Sequence, residues 1–147
     1  KSVIKSNQKR KILLTKRVSK ILSNKIKNKK IAILGVTFKA NTDDMRESSS
    51  LVLISYLLKK DALVSYYDPS GPKKELKKNK NLKFKDNLLE ACKGADLIII
   101  NTEWDEFKSV DFKKAVGKNN FKIYDLRNLY DPNELKKKSI KYFSIGR

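Results

Sequence analysis

The residues best suited to chemistry lie in one polar stretch, GVTFKANTDDMRESSS (35–50), between the apolar runs IAILG and LVLISYLL. Lys39 offers a mobile positive charge for a phosphate or a sugar hydroxyl, and Arg46 offers a planar fork near the start of a predicted helix. Asp43 and Asp44 can instead pair with Lys39 and Arg46 across a surface turn. From the residues alone, a ligand-binding loop and a polar connection both stay open.

A single glycine, Gly35, follows the first predicted strand. A dinucleotide-binding turn carries G-x-G-x-x-G, because the later glycines let the backbone approach a pyrophosphate and the helix pack on the strand. Here the stretch reads Gly35-Val-Thr-Phe-Lys-Ala. We therefore expect no self-contained NAD site at this turn, and we expect side chains to meet a ligand.

Short apolar runs alternate with helical patterns along the chain. The predicted helices cover 7–22, 47–60, 72–79, 86–95, 111–119 and 132–139, and the predicted strands cover 31–35, 63–69, 81–85, 96–102, 121–128 and 140–146. We expect 81–85 at a sheet edge, the very apolar 96–102 at its centre, and Asp86 as an N-cap. This alternation predicts an α/β fold with a doubly wound, mostly parallel sheet and helices on both faces. Ligands of such sheets bind at the carboxyl ends of the strands, here near Gly35, Tyr67, Asn101 and Asp125.

The formal net charge of +19 suggests a polyanionic partner, but the composition argues against nucleic acid. Of the 35 basic residues only five are arginine, and they are scattered over the 147 residues. Readers of nucleic acid favour arginine for its bidentate fork and aromatic side chains for stacking, whereas the aromatic residues here fall inside apolar runs. A basic nucleic-acid-binding domain is therefore the least favoured alternative.

The chain has one cysteine and no histidine. An internal disulfide, histidine-based catalysis and the usual zinc sites are therefore excluded, and we expect no metal. No apolar run approaches the roughly 20 residues of a membrane span, and the first residues lack the apolar core of a signal peptide. We expect a cytoplasmic location.

Two further reactive or aromatic side chains are interpreted as packing. Cys92 lies in the helical pattern LLEACKGA with no histidine to activate it, so we expect a buried structural thiol. Trp104 follows a predicted strand and can line a base pocket, but an aromatic side chain in that place more often packs. We assign no catalytic residue within the chain.

Several motifs together resemble a known family. KKIAILGVTFKANTDDMRESSS (29–50), YYDP (66–69), EACKGADLIIINTEWDEF (90–107) and YDLRNLYD (124–131) resemble the C-terminal, nucleotide-sugar-binding domain of the UDP-glucose/GDP-mannose dehydrogenases. The resemblance extends from Lys29 to the end of the chain. It implies a Rossmann-like fold, and TEWDEF favours the UDP-glucose branch of the family.

The resemblance also implies site residues. Members oxidise the C6 alcohol of a nucleotide sugar to a carboxylate in two NAD-dependent steps, through a thiohemiacetal on a cysteine. It implies that Phe38 and Lys39 contact the sugar nucleotide and that Arg46 reaches NAD held by an N-terminal domain. It also implies a substrate-binding role for Arg127 in Asp125-Leu-Arg127, although leucine stands where glycine is common. Ser49, where many relatives have proline, is a milder departure.

The implied organisation is part of a larger enzyme. Residues 1–28 are expected to be the end of a connecting helix and a linker, and residues 29–147 the UDP-sugar-binding domain. The partners implied are the UDP-sugar substrate, the N-terminal domain of the same enzyme and a further copy in a homo-oligomer. The family's nucleophilic cysteine lies before this domain, so we expect the chain alone to be inactive. A dehydrogenase of another nucleotide sugar, and a stand-alone non-catalytic binding module, stay open as alternatives.

Overall fold

Strands and helices alternate along the chain as predicted, except that no helix separates the second strand from the third. The computed structural model describes residues 2–46 and 48–145, with side chains described from Lys9 onward. Glu47 and Gly146, which fell in a predicted helix and a predicted strand, lie outside the described residues. The strands are β1 (Lys30–Leu34), β2 (Leu63–Tyr67), β3 (Leu82–Phe84), β4 (Leu97–Ile100), β5 (Lys122–Asp125) and β6 (Lys141–Ser144). The helices are α1 (Ser2–Ile21), α2 (Ser49–Lys59), α3 (Leu88–Cys92), α4 (Phe112–Val116) and α5 (Pro132–Lys137), with a 3-10 helix at Asp105–Phe107.

The six strands form one sheet in the order β3-β2-β1-β4-β5-β6, and every neighbouring pair is parallel. The chain order reverses between β1 and β4, which lie at the centre. The doubly wound parallel sheet, the central position of β4 and the edge position of β3 are thereby confirmed. The crevice where the order reverses is the usual ligand site of such sheets.

Alternate residues of β1 face two separate cores, so both faces of the sheet are covered. Ile31 and Ile33 pack with the buried side chains of α1 and α2. Ala32 and Leu34 pack with those of α3, α4 and α5. A strand buried on both faces must be apolar throughout, which is why β1 and β4 read as continuous apolar runs.

Two local predictions were wrong. Residues 72–79 form turns and not a helix. Only Leu76 is apolar there besides Pro72, and four lysines flank it, so a helix would bury one side chain and crowd like charges. The N-cap of α3 is Asn87 and not Asp86, because the Asn87 side chain accepts from the Glu90 amide at 2.9 Å.

The helix α1 packs against the rest of the molecule at its C-terminal end. Val18 is buried in the core on the α2 side of the sheet, Arg17 donates to the Ser144 carbonyl at 3.1 Å, and Lys122 Nζ donates to the Ile21 carbonyl at 2.7 Å. The domain boundary between residues 28 and 29 stays a prediction. Within residues 2–46 and 48–145, no helix is both long and apolar enough to cross a membrane.

Candidate functional site

The carboxyl end of β1 turns sharply at Gly35. Its φ is +81°, and a Cβ at this position would lie 2.5 Å from Cβ of Thr102, at the end of β4. The Gly35 amide donates to the Tyr67 carbonyl at 2.8 Å. The one glycine of this turn therefore serves the close approach of β1 to its two neighbouring strands.

The amides that follow Gly35 are bound by a side chain of the chain itself. Asp68, at the end of β2, is 1% exposed, and its Oδ2 accepts from the amides of Val36 at 2.8 Å and Thr37 at 3.3 Å. Its Oδ1 accepts from the Ser70 amide at 2.9 Å. In a phosphate-binding turn these first amides would face the ligand. Here they face a buried carboxylate.

The carbonyls of the same segment are bound by hydroxyl groups. Ser48 and Ser50 each donate to the Val36 carbonyl at 2.6 Å, and Thr102 donates to the Thr37 carbonyl at 2.7 Å. Ser48 is also the N-cap of α2, since its Oγ accepts from the Ser50 amide. The serine run therefore starts the helix and ties it to the turn after β1.

Phe38 and Lys39 project from the backbone that these bonds hold. The Phe38 amide donates to the Asp44 carbonyl at 2.8 Å, which closes the loop. Phe38 is 43% exposed, a large fraction for an aromatic side chain, and Lys39 is exposed too. Among the described residues Lys39 has no carboxylate within 4.0 Å. Both predicted binding residues thus present their side chains to solvent at the carboxyl edge of the sheet.

The Arg127 side chain contacts the backbone of this loop. Its Nη2 donates to the Phe38 carbonyl at 2.7 Å, and its Nε donates to the Asn101 carbonyl at 2.9 Å. The loops after β1, β4 and β5 are therefore joined by one guanidinium. Arg127 is exposed, so ligand contact and this bridging are compatible. The bridging was not predicted from the sequence.

A second buried carboxylate holds the loop that carries Arg127. Asp125 is 0% exposed and ends β5. Its Oδ1 accepts from the Arg127 amide at 3.0 Å, and its Oδ2 accepts from the Leu129 amide at 2.7 Å and the Tyr142 hydroxyl at 2.7 Å. The structural roles of Asp68 and Asp125 were not predicted; an acidic residue at the carboxyl end of an apolar strand is the signal that could have indicated them, but it does not reveal their partners.

Arg46 and Asp44 form a surface pair. Both Asp44 oxygens accept from the guanidinium, at 3.1 and 3.0 Å. Hydrogen bonding to Arg46 holds the pKa of Asp44 below its ordinary value and raises the pKa of Arg46 above its own. The polar-connection interpretation is therefore correct for this pair, and Lys39 acts on Asp44 only through its charge, at a distance greater than 4.0 Å. Because the Arg46 side chain is 89% exposed, the pair stabilises the loop only weakly and leaves the guanidinium accessible.

Cys92 and Trp104 pack as predicted. Cys92 is 0% exposed, and burial raises the pKa of its thiol to about 12, so it stays protonated near neutral pH. Trp104 is half-buried against the core formed with α3, α4 and α5. Its neighbour Glu106, in the 3-10 helix, accepts from the Tyr67 hydroxyl at 2.8 Å. Burial, followed by this contact, raises the pKa of Tyr67 to about 12.

A groove of about 840 Å³ lies apart from these residues. Leu63 and Lys83 of β2 and β3 and Leu89 of α3 are among its lining residues. It contains none of the predicted binding residues. The carboxyl edge of the sheet, where the hydrogen-bonded loops converge, is the better candidate site because the predicted binding residues lie there. Within the described ranges, no group of three or more acidic, cysteine or histidine side chains is arranged to hold a metal ion.

Comparison with known proteins identifies the relatives of this chain. A model of the UDP-glucose/GDP-mannose dehydrogenase family, UDP binding domain, matches residues 32–132. The chain is 41% identical over 150 residues to a UDP-glucose 6-dehydrogenase of Rickettsia felis and 38% identical over 144 residues to one of Rhizobium meliloti. These alignments cover 99% and 96% of this chain but 33% and 32% of those proteins. The chain thus spans about a third of the length of the curated relatives it matches.

Solved structures of two archaeal dehydrogenases are similar to this one. An NDP-N-acetyl-D-galactosaminuronic acid dehydrogenase from Methanosarcina mazei Go1 is 30% identical with a TM-score of 0.76, over 94% of this chain and 29% of that one. A UDP-glucose dehydrogenase from Pyrobaculum islandicum, 21% identical, has a TM-score of 0.76 over 96% of this chain and 30% of that one. The second likeness concerns the fold alone, and both agree with the Rossmann-like sheet described above.

Proposed function

Because the chain belongs to the UDP-glucose/GDP-mannose dehydrogenase family, we propose that it is the nucleotide-sugar-binding part of an NAD-dependent UDP-glucose 6-dehydrogenase. The reaction proposed for the whole enzyme converts UDP-glucose to UDP-glucuronate in two oxidation steps. The choice of UDP-glucose is supported by the names of the curated relatives at 38–41% identity. A cytoplasmic location and assembly into a homo-oligomer remain part of this proposal.

The main support from the structure is the loop that carries Phe38 and Lys39. The backbone polar groups of residues 36–38 are bound by Asp68, by hydroxyl groups, by Asp44 and by Arg127. A backbone held on all sides presents its side chains in one geometry, and a preorganised site binds with a smaller loss of entropy. The loop lies where the strand order reverses, which is the usual place for a nucleotide.

Each predicted binding residue has a distinct role in this proposal. Phe38 offers an exposed aromatic face to a base or a sugar, and the Lys39 ammonium neutralises the charge of a diphosphate. Arg127 contributes in two ways, by holding the Phe38 carbonyl and by turning its exposed guanidinium edge toward the ligand. Lys39 is the strongest candidate for direct contact, because its ammonium has no carboxylate partner within 4.0 Å among the described residues.

NAD does not fit the first turn of this sheet. The amides of Val36 and Thr37, which would hold its pyrophosphate, are bound to Asp68. When bound to the whole enzyme, NAD accepts the hydride. We propose that NAD is held by a neighbouring domain and that Arg46 of this chain contacts it, since the Arg46 side chain is 89% exposed.

The other parts of the reaction are proposed to lie in the remainder of the enzyme. Cys92 is buried with a pKa of about 12 and is not a suitable nucleophile. We therefore expect no NADH when UDP-glucose and NAD are added to this chain alone. NADH formed at a rate above that of a heat-denatured sample would contradict the assignment.

Calorimetry tests the binding proposal directly. Titrating this chain with UDP-glucose, with UDP and with a short duplex DNA should give saturable heats for the two uridine ligands only. Saturable binding of DNA alone, steeply weakened by salt, would support the basic-domain alternative and overturn this proposal. Absence of binding to every nucleotide, in protein shown to be folded, would favour a non-catalytic interaction module.

The sugar itself needs a separate comparison. The solved relative from Methanosarcina mazei is named for an N-acetylated sugar, so an acetamido sugar nucleotide is the second candidate substrate. Competition between UDP-glucose and UDP-N-acetylgalactosamine for one site discriminates the two. Tighter binding of the acetamido sugar would replace UDP-glucose in the proposal and leave the family assignment unaffected.

A further inference from the structure

The carboxylate of Asp68 binds the first two backbone amides after Gly35, the donors that a phosphate would need at this turn. It lies beside the first turn after β1, is 1% exposed, and accepts from the amides of Val36 at 2.8 Å and Thr37 at 3.3 Å. A phosphate bound at this turn would need these same donors. The turn therefore already contains an anion, supplied by the chain.

Hydrogen bonds surround this carboxylate. Its second oxygen accepts from the amide and the hydroxyl of Ser70, and the Ser70 hydroxyl accepts in turn from the ammonium of Lys73 at 2.5 Å. Lys73 is 8% exposed, and its own amide donates to the Tyr66 hydroxyl. The segment after β2 is thus folded around Asp68, which makes the carboxylate a fixed part of the turn.

We propose that Asp68 closes the first turn to pyrophosphates and positions the Phe38–Lys39 loop for the sugar nucleotide. The closure of the turn is argued from the hydrogen bonds of the Val36 and Thr37 amides to Asp68. The positioning of the Phe38–Lys39 loop rests on the proposed function, in which NAD and the UDP-sugar both carry a pyrophosphate. An open amide pair would accept either of them, whereas a resident carboxylate repels both and leaves recognition to the side chains that follow.

The closure is tested by following the Val36 and Thr37 amides by NMR during titration with inorganic pyrophosphate. In the unmodified chain we expect both resonances to stay in place. In Asp68→Ala, which removes the carboxylate and leaves the amides, we expect both to shift in a saturable manner. A saturable shift of these resonances in the unmodified chain would contradict the proposal that Asp68 closes the turn. So would a folded Asp68→Ala variant in which pyrophosphate does not shift the two amide resonances. The titration of the unmodified chain decides the question if Asp68→Ala does not fold.

The positioning role is tested with Asp68→Asn, which keeps the shape and removes the charge. We expect its affinity for UDP-glucose to fall about tenfold, because the two hydrogen bonds to the loop lose their charge assistance and hold it less firmly. The matched control is Asp96→Asn, since Asp96 also accepts from a backbone amide, that of Lys30 at 2.9 Å, but at the opposite end of the sheet. Its affinity should be unchanged.

The two proposals fail in different ways. If Asp68→Asn binds UDP-glucose as tightly as the unmodified chain, the positioning role is wrong while the proposed function stands. If the unmodified chain does not bind UDP-glucose, the proposed function and with it the positioning role are wrong. The pyrophosphate titration still decides the closure in that case.

Discussion

At the scale of single residues, Lys39 and Arg46 differ in whether their charge is paired with a carboxylate in the folded chain. The Arg46 guanidinium is paired with Asp44 at 3.0 Å, whereas Lys39 has no such partner among the described residues. Both are exposed on the same loop. An exposed lysine without an ion pair among the described residues, on a loop at the carboxyl edge of the sheet, is consistent with the ligand-binding role proposed for it.

Substituting Lys39→Ala should weaken UDP-glucose binding about tenfold, because one ammonium near a diphosphate is lost. The melting temperature should not change, since the side chain makes no ion pair among the described residues. Calorimetry and thermal unfolding measure the two effects. Lys27→Ala is the control, an exposed loop lysine before β1 at the opposite end of the sheet. A lower melting temperature with unchanged affinity would make Lys39 a structural residue.

Arg46→Ala should raise the pKa of Asp44 toward its ordinary value, because the hydrogen bond that lowers it is removed. The carboxyl resonance of Asp44 followed against pH by NMR measures this. The affinity of this chain for UDP-glucose should stay the same, and the effect on turnover should appear only in the whole enzyme, through NAD. A loss of UDP-glucose affinity comparable to that of Lys39→Ala would place Arg46 at the substrate instead.

At the scale of elements, the tight approach of β1 to β4 is what shapes the site. Gly35 permits this approach, and the hydroxyl of Thr102 then reaches the Thr37 carbonyl at 2.7 Å. The serine run at the start of α2 binds the same turn from the other side through Val36. The loop geometry is therefore a product of three elements and not of the loop sequence alone.

Gly35→Ala should lower the free energy of unfolding by about 2–4 kcal/mol, the sum of a left-handed backbone cost and a steric clash. Gly117→Ala is a matched control, because its φ of +79° is nearly that of Gly35 at +81° but no atom lies within 4 Å of the added Cβ. It should cost only about 1 kcal/mol. Urea denaturation of both variants measures the difference. Equal losses in the free energy of unfolding would mean that Thr102 moves away from the added Cβ without an energetic cost.

The amino ends of β1 and β4 are joined by an ionisable side chain whose contribution depends on pH. Burial works to raise the pKa of Asp96, but hydrogen bonds from Lys118 and from the Lys30 amide outweigh it and hold the pKa below its ordinary value. A lowered pKa in the folded state stabilises the protein above the unfolded pKa, near 3.9 for aspartate, and this stabilisation is lost as the pH falls through the folded value.

Asp96→Asn should therefore lower the free energy of unfolding by about 1 kcal/mol at pH 7, and by progressively less below pH 4. Urea denaturation from pH 3 to pH 7 gives the two curves. A difference between the proteins that stays constant over this range would show that the carboxylate charge contributes nothing.

At the scale of the whole molecule, we expect the net charge of +19 to lower stability through repulsion between like charges. The exposed lysines repel one another, and this repulsion is screened over about 10 Å at 0.1 M salt. We expect the melting temperature to rise by several degrees between low salt and about 0.5 M NaCl.

Sodium sulfate at matched ionic strength separates screening from specific anion binding. Equal shifts at equal ionic strength support screening. A far larger shift at low sulfate concentration would indicate a specific anion site and contradict a purely electrostatic origin.

Much of the architecture follows from sequence patterns that are local. The short apolar runs that became β1 and β4 are typical of strands buried on both faces, and their alternation with amphipathic segments indicates a parallel sheet. The carboxyl edge was predicted as the site for the same reason, and Phe38 and Lys39 lie there. The helix at 72–79 was wrong because lysine-rich segments mimic helical spacing without an apolar face to bury.

The sequence by itself determined the fold class, the family and the loop that carries the candidate site. Only the tertiary structure decided what holds that loop, because its partners are distant in the chain. Asp68 lies about 30 positions from the amides it binds, and Arg127 lies 89 positions from the Phe38 carbonyl. A buried carboxylate and a bridging guanidinium look like ordinary turn residues until the strands bring their partners within 3 Å. Hydrogen bonds depend on distance in space, and a one-dimensional pattern does not contain that distance.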